Sequence, residues 1–184
     1  MKKQSGITLI ELIIAVTILG ILAAYAVPNF GSLISNSQLK GSFNSFAGTI
    51  ATARVEAVNR RASITICPSS NGTSCVAGNN PIWSDGYIAY SDDNDNSSPD
   101  AGEVLRYETI PNGVTIRSPD YPESITIASR GRLPRSGTFV FCKGEDDQTA
   151  RALNLMVTGL GRLATDDNND SIVEGVNGNV SCTI

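Results

Sequence analysis

Apolar positions run almost unbroken through residues 7–27, ITLIELIIAVTILGILAAYAV, with Thr8, Glu11, Thr17 and Gly20 as the exceptions. At ~1.5 Å per residue a helix of this length spans about 31 Å, the thickness of a bilayer core. Beyond Pro28 the pattern changes. Leu39, Phe43, Phe46, Ile50, Ala53 and Ala57 recur at spacings of 4, 3, 4, 3 and 4, while Gln38, Lys40, Asn44 and Glu56 fill the other directions. This is one apolar face of an amphipathic helix. The pattern predicts a helix over about 8–60, kinked near Pro28, because proline lacks an N–H and crowds the preceding turn.

After residue 61 the period becomes two. Candidate strands are 62–67, 86–91, 103–109, 113–117, 124–128, 137–142, 152–157 and 179–183, separated by Pro, Gly, Asn and Asp clusters. The expected fold class is α+β, a long N-terminal helix packed on a β-rich globular head. Internal repeats and a linker long enough for a second domain are absent from the sequence.

Composition narrows the function classes. The 184 residues are 41% hydrophobic and 17% charged, outside the range of disordered chains. The net charge of −4 would become −6 if Lys2 and Lys3 were removed, and an acidic body repels phosphate. With no histidine, Ser-His-Asp and Cys-His catalysis and His-containing zinc sites are excluded. Four cysteines, none in C-x-x-C spacing, read as two disulfides in an oxidising compartment. Carboxylates are plentiful, but nothing in the sequence gathers two of them into a pocket, and the chain is not expected to be an enzyme.

Glu11 is the anomaly of the apolar run, since a carboxylate in a membrane helix costs on the order of a few kcal/mol unless paired. Cleavage between Gly6 and Ile7 would create an α-amine at Ile7 to neutralise it. Lys2 and Lys3 keep the N-terminus cytoplasmic. An ordinary secretory signal cut after Ala24-Tyr25-Ala26 is an alternative, which the embedded charge disfavours. An unprocessed anchor is another.

The leader KKQSG followed by ITLIEL, with Gly6 before the cut, Glu11 fifth and Pro28 twenty-second after it, resembles the prepilin processing site of type IV pilins and type II secretion pseudopilins. Ile7 stands where that family usually has Phe. The later blocks ARVEAVNRRASITICPS (53–69), Cys75, WSDGYIAYSDDNDN (83–96), EVLRYE (103–108), Gly131 in SRGRLP, FVFC (139–142), VTGLGRL (157–163) and Cys182 resemble the GspH/FimT family of minor pilins and pseudopilins. The resemblance implies a leader at 1–6, a transmembrane and filament-core helix at 7–27, and an exported head at 28–184. It implies a prepilin peptidase that cleaves and N-methylates, residence in the bacterial inner membrane, and then a periplasmic or surface filament of major and minor pilins. Within that frame Cys67 and Cys75 close a short loop, and Cys142 and Cys182 tie the C-terminal region to a strand.

Three segments carry candidate chemistry. No cofactor is required, but Asp92, Asn94, Asn96, Ser98, Asp100 and Glu103 fall at positions 1, 3, 5, 7, 9 and 12 of an EF-hand-like loop, a spacing suited to Ca²⁺. Against it, Ser97 replaces the usual Gly and no helices flank the loop; the competing reading is a solvated acidic turn. DDNND at 166–170 imitates the pattern more weakly. GLGRLA at 159–164 matches G-x-G-x-x-A, but an acidic run follows instead of a helix. Arg162 sits where FimT-type DNA-binding pilins carry G-R-x-R. Here the second arginine is Ala164, and Asp166 and Asp167 follow. Arg130, Arg132 and Arg135 form a second basic segment. The expectation is a minor pilin that helps initiate or cap a filament, with a type II secretion pseudopilin or a FimT-like DNA receptor as alternatives. DNA is the disfavoured partner.

Overall fold

The computed structural model describes residues 8–76, 78, 82–83, 85–94 and 96–183, with the side chains of 25–30, 32 and 82 excepted. The chain divides into two compact units, one ending at Ser37 and one beginning at Gln38.

Helix α1 runs from Leu9 to Arg60, 52 residues, and is helical through position 28. It stops where Arg61 takes a left-handed backbone, φ 56°. Among the described residues eleven strands follow: β1 (Ile64–Pro68), β2 (Ile82–Trp83), β3 (Gly86–Ser91), β4 (Val104–Thr109), β5 (Val114–Arg117), β6 (Ile125–Ile127), β7 (Gly137–Lys143), β8 (Arg151–Leu155), β9 (Gly161–Leu163), β10 (Glu174–Gly175) and β11 (Gly178–Asn179). They form a four-stranded sheet in the order β4-β3-β1-β6, a five-stranded sheet in the order β2-β5-β7-β8-β9, and the hairpin β10-β11. Every pairing is antiparallel.

The helical stripe is the reason for the core. Leu39, Phe43, Phe46, Ile50, Ala53 and Ala57 are all buried and face both larger sheets. Phe46 is the hub, with ring centroids 4.6 Å from Phe139, 5.0 Å from Tyr87 and 5.9 Å from Trp83. Edge-to-face aromatic pairs add about 0.5–1.5 kcal/mol each beyond the area they bury. The far side of the five-stranded sheet holds a second, smaller cluster of Val140, Cys142, Ala150, Ala152, Ala164, Val180 and Cys182.

One local expectation is corrected. The strand expected at 179–183 does not form. Asn179 belongs to β11, and the segment after it is held by Val180 N donating to Val173 O at 3.1 Å and by the Cys182 bridge. Conversely, β2 and β9 are strands of two and three residues, too short to leave a period-two signature.

Candidate functional site

At the N-terminal end, Gly6 and Ile7 lie outside the described residues, as does the side chain of Pro28. Thr8 precedes the helix and Glu11 occupies its first turn. The Glu11 N–H donates to Thr8 Oγ1 at 3.4 Å, and Thr8 N and Oγ1 approach Glu11 Oε2 at 3.5 Å. This is the reciprocal pattern of a capping box, at distances that make each bond weak. It places the carboxylate where the helix dipole favours negative charge. The signal was present as T-x-x-E in Thr8-Leu9-Ile10-Glu11, and the charge-neutralisation reading passed over it.

From there the helix is unusually bare. Leu9, Ile10, Leu12, Val16, Leu19 and Leu22 are between 56% and 78% exposed. A contiguous apolar surface of this kind marks a membrane or protein interaction site. Among the described residues no helix is long and apolar enough to cross a membrane; the described part of the 7–27 run with its side chains is 8–24.

Two bridges pair the four cysteines, Cys67 with Cys75 and Cys142 with Cys182. The first seals the loop after β1 against Ile88 and Tyr90. The second fastens the C-terminal segment to β7, closing the smaller cluster.

The 92–103 loop turns its oxygens inward. Asp92 Oδ1 and Oδ2 accept the N–H groups of Asn96 at 2.9 Å and Ser97 at 2.8 Å. Glu103 is buried, and its two oxygens accept the N–H groups of Asp93 at 3.1 Å and Asp100 at 2.9 Å. Asn94 and Asn96 each donate a side-chain amide to Asp100 Oδ2 at 2.7 Å. Ser97 takes φ 61° at the position where an EF-hand loop has glycine. As placed, these groups satisfy one another, and among the described residues no three acidic, His or Cys groups converge as an ion cage. The 166–174 loop is built alike. Asp166 accepts from Asn169 and Ser171, and Glu174 accepts from Asp167 and Asn168. The Ile172 N–H, then the Asn179 amide, hold the Asp170 carboxyl below its usual value.

The arginines are not gathered. Arg162 pairs across from Asn154, whose side chain bonds Thr138 and the Glu174 carbonyl, so it projects from the sheet face opposite α1. Arg130 and Arg132 flank Gly131, which packs on Arg54 and Val58 of α1. Arg135 lies over the Tyr121 ring, 5.1 Å from its centroid, and donates to Asp120 O. Burial pushes the Tyr121 phenol up in pKa.

A shallow polar groove of about 650 Å³ includes Arg61, Ser63, Thr65, Tyr90, Asp92 and Asp93 in its lining. Ser91 Oγ donates to Asp93 at 2.6 Å, but Ser91 is fully buried and cannot meet a substrate.

Comparison with known proteins places these features. A family profile described as type II transport protein GspH matches residues 42–161, and one described as the prokaryotic N-terminal methylation motif matches 1–27. Fimbrial protein EcpC of Eikenella corrodens is 47% identical over 47 residues, covering 26% of this chain and 31% of that protein. A fimbrial protein of Moraxella nonliquefaciens is 31% identical over 98 residues, 48% of this chain and 64% of its own length. EcpB of Eikenella corrodens is 41% identical over 73 residues, 39% of this chain and 45% of that one. The chain thus spans about a third to two thirds of the length of these curated relatives. The crystal structure of the type IV minor pilin FimU of Pseudomonas aeruginosa aligns with a TM-score of 0.54 at 19% identity, over 71% of this chain and 91% of that one. At that identity the likeness is one of fold.

Proposed function

Because the chain belongs to the GspH family of type IV pilin-like proteins, we propose that it is a minor pilin that helps initiate or cap a filament. The observation that carries this is the bare apolar surface of 9–24, with Glu11 at its head, inside the methylation motif. That surface needs lipid before assembly and neighbouring helices after it. The reading has the chain held in the inner membrane by a single pass, N-terminus inside. A prepilin peptidase cleaves it between Gly6 and Ile7 and methylates the new amine. That amine then pairs with Glu11 of its own chain or a neighbour's, replacing the weak Thr8 contacts. Other pilins are its partners, and the head supplies contacts rather than catalysis.

The profile's description favours a second reading, a pseudopilin of type II secretion, while the fimbrial relatives favour the pilus. Deleting the gene separates them, through loss of surface pili in one case and loss of protein secretion in the other. The subunit reading itself is tested by Glu11→Ala. We expect normal membrane levels, an intact mass starting at methylated Ile7, and a sharp fall in filament-associated protein. Normal incorporation of the variant would remove the electrostatic part of the mechanism.

A further inference from the structure

β9 is the outermost strand of the five-stranded sheet and, among the described residues, is bonded on its inner side alone. Ala164 N donates to Ala152 O at 2.9 Å. Bonded and non-bonded pairs alternate along an antiparallel ladder, so the next bonded pair is Asn154 with Arg162. The N–H and C=O groups of Gly161 and Leu163 therefore point outward, and among the described residues nothing bonds them. Sheet edges are ordinarily guarded by shortness, charged side chains, proline, a bulge or a covering loop. β9 is short, and its one charge, Arg162, lies on the face away from α1; beside the edge Leu163 is 54% and the preceding Leu160 51% exposed.

Beside this edge runs a groove of about 290 Å³ between β9 and the flank of α1, lined by Ala47, Ala51, Arg54, Val55, Leu153 and Leu160. Exposed Val55 and Val58 extend its apolar wall. Its basic side comes from Arg54, whose Nε bonds Gly131 O at 3.3 Å; Arg130 and Arg132 flank that glycine in the chain and are exposed. None of these three has a carboxylate within ion-pair distance among the described residues.

Charge selects the occupant. Two copies of this chain joined edge to edge through Gly161 and Leu163 would set Arg162 directly opposite Arg162, a destabilising like-charge pair. A basic, apolar groove with an open edge instead suits an extended chain with apolar side chains at alternate positions and a carboxylate near one end. We propose that the outer edge of β9 and the adjoining groove receive such a segment from a different pilin-like subunit, which extends the sheet by one strand. This inference rests on the filament reading above.

Leu163→Pro in the full-length chain tests it. The substitution deletes one outward N–H and spares the inward bonds at Arg162 and Ala164, and proline is tolerated on a strand edge. We expect membrane level and disulfide pairing to match the parent while incorporation into filaments falls about tenfold, the effect of one lost intermolecular hydrogen bond. Leu163→Lys, a common guard of natural edges, should fall likewise and serves if the proline variant misfolds. Parent-like incorporation of a folded Leu163→Pro or Leu163→Lys overturns the inference and leaves the subunit reading standing. A parent chain absent from filaments overturns both. Incorporation blocked by Val55→Arg but not by either Leu163 variant assigns the groove to a neighbour's helix and also overturns strand addition.

Discussion

The backbone of Gly159 lies directly against the carbonyl oxygen of Gly131, the same oxygen that accepts Arg54 Nε. Both glycines are left-handed, at φ 75° and 71°, and Leu133 N donates to Val157 O at 2.9 Å beside them. Two loops distant in sequence are thereby locked onto α1. A Cβ on Gly159 would meet that oxygen and Arg54, and would also strain the backbone. Gly159→Ala should cost on the order of 2–3 kcal/mol. Denaturant unfolding followed through Trp83, which is fully buried against Phe46 and Phe139, reads the loss. An unchanged midpoint would mean the loops part freely.

The two disulfides should differ in worth. Cys142–Cys182 closes a loop of 40 residues and Cys67–Cys75 one of 8. Chain entropy assigns them about 4 and about 2.5 kcal/mol. Paired Cys→Ser variants, compared by midpoint in urea, should rank in that order. The reverse ranking would put the energetic weight on the loop after β1 instead of the C-terminal segment.

Glu103 holds its loop closed from inside. Both carboxylate oxygens accept backbone N–H groups, and the residue is 8% exposed. Glu103→Gln turns one acceptor into a donor facing a donor, so a loss of about 1–3 kcal/mol is expected. Thermal melting of the parent with and without millimolar calcium decides between the two origins of the 92–103 pattern. A raised melting temperature marks an ion cage, because a ligand of the folded state alone stabilises it. No change marks a loop held by its own amides.

Much of the fold could be read in the chain because long elements leave periodic traces. The six-residue stripe from Leu39 to Ala57 is buried as a unit, and the strand expected at 86–91 is β3 residue for residue. What could not be read depends on partners distant in sequence. NVSCT alternates like a strand, yet Cys182 is drawn to Cys142 and the ladder ends at Asn179. The three-residue β9 has no period of its own and exists because β8 offers an edge. The sequence separates Arg162 from the basic segment of Arg130, Arg132 and Arg135 but does not say which faces they occupy; the register of Asn154 with Arg162 assigns Arg162 to the face away from α1.

Acid should loosen the 166–174 loop before the rest of the head. Asp170 is fully exposed and its pKa is lowered by the Ile172 N–H and the Asn179 amide. A depressed carboxyl contributes stability above its unfolded value, ~3.9, and that contribution is lost as pH falls through the folded pKa. Amide exchange at Ile172 should therefore accelerate as pH drops below about 4, beyond the intrinsic pH effect. In Asp170→Asn that acid step should vanish.

DNA binding should be weak and should not centre on Arg162. Its side chain shares a face with Asn154 and the Glu174 carbonyl, and the acidic 166–174 loop follows it in the chain. Arg130 and Arg132 sit with Arg54 on the other side of the sheet, and Arg135 is occupied with Tyr121 and Asp120. Phosphate affinity grows with the number of phosphates neutralised together, because each contact releases counterions. One arginine beside carboxylates neutralises about one phosphate, and the net charge of −4 opposes the approach. A gel shift over a salt series should show no complex at physiological salt. At low salt, Arg162→Ala should flatten the slope of log K against log salt by about one at most. The Arg130→Ala, Arg132→Ala double variant should flatten it more. Tight binding at physiological salt that Arg162→Ala abolishes would make a DNA-receptor role the better account of this head.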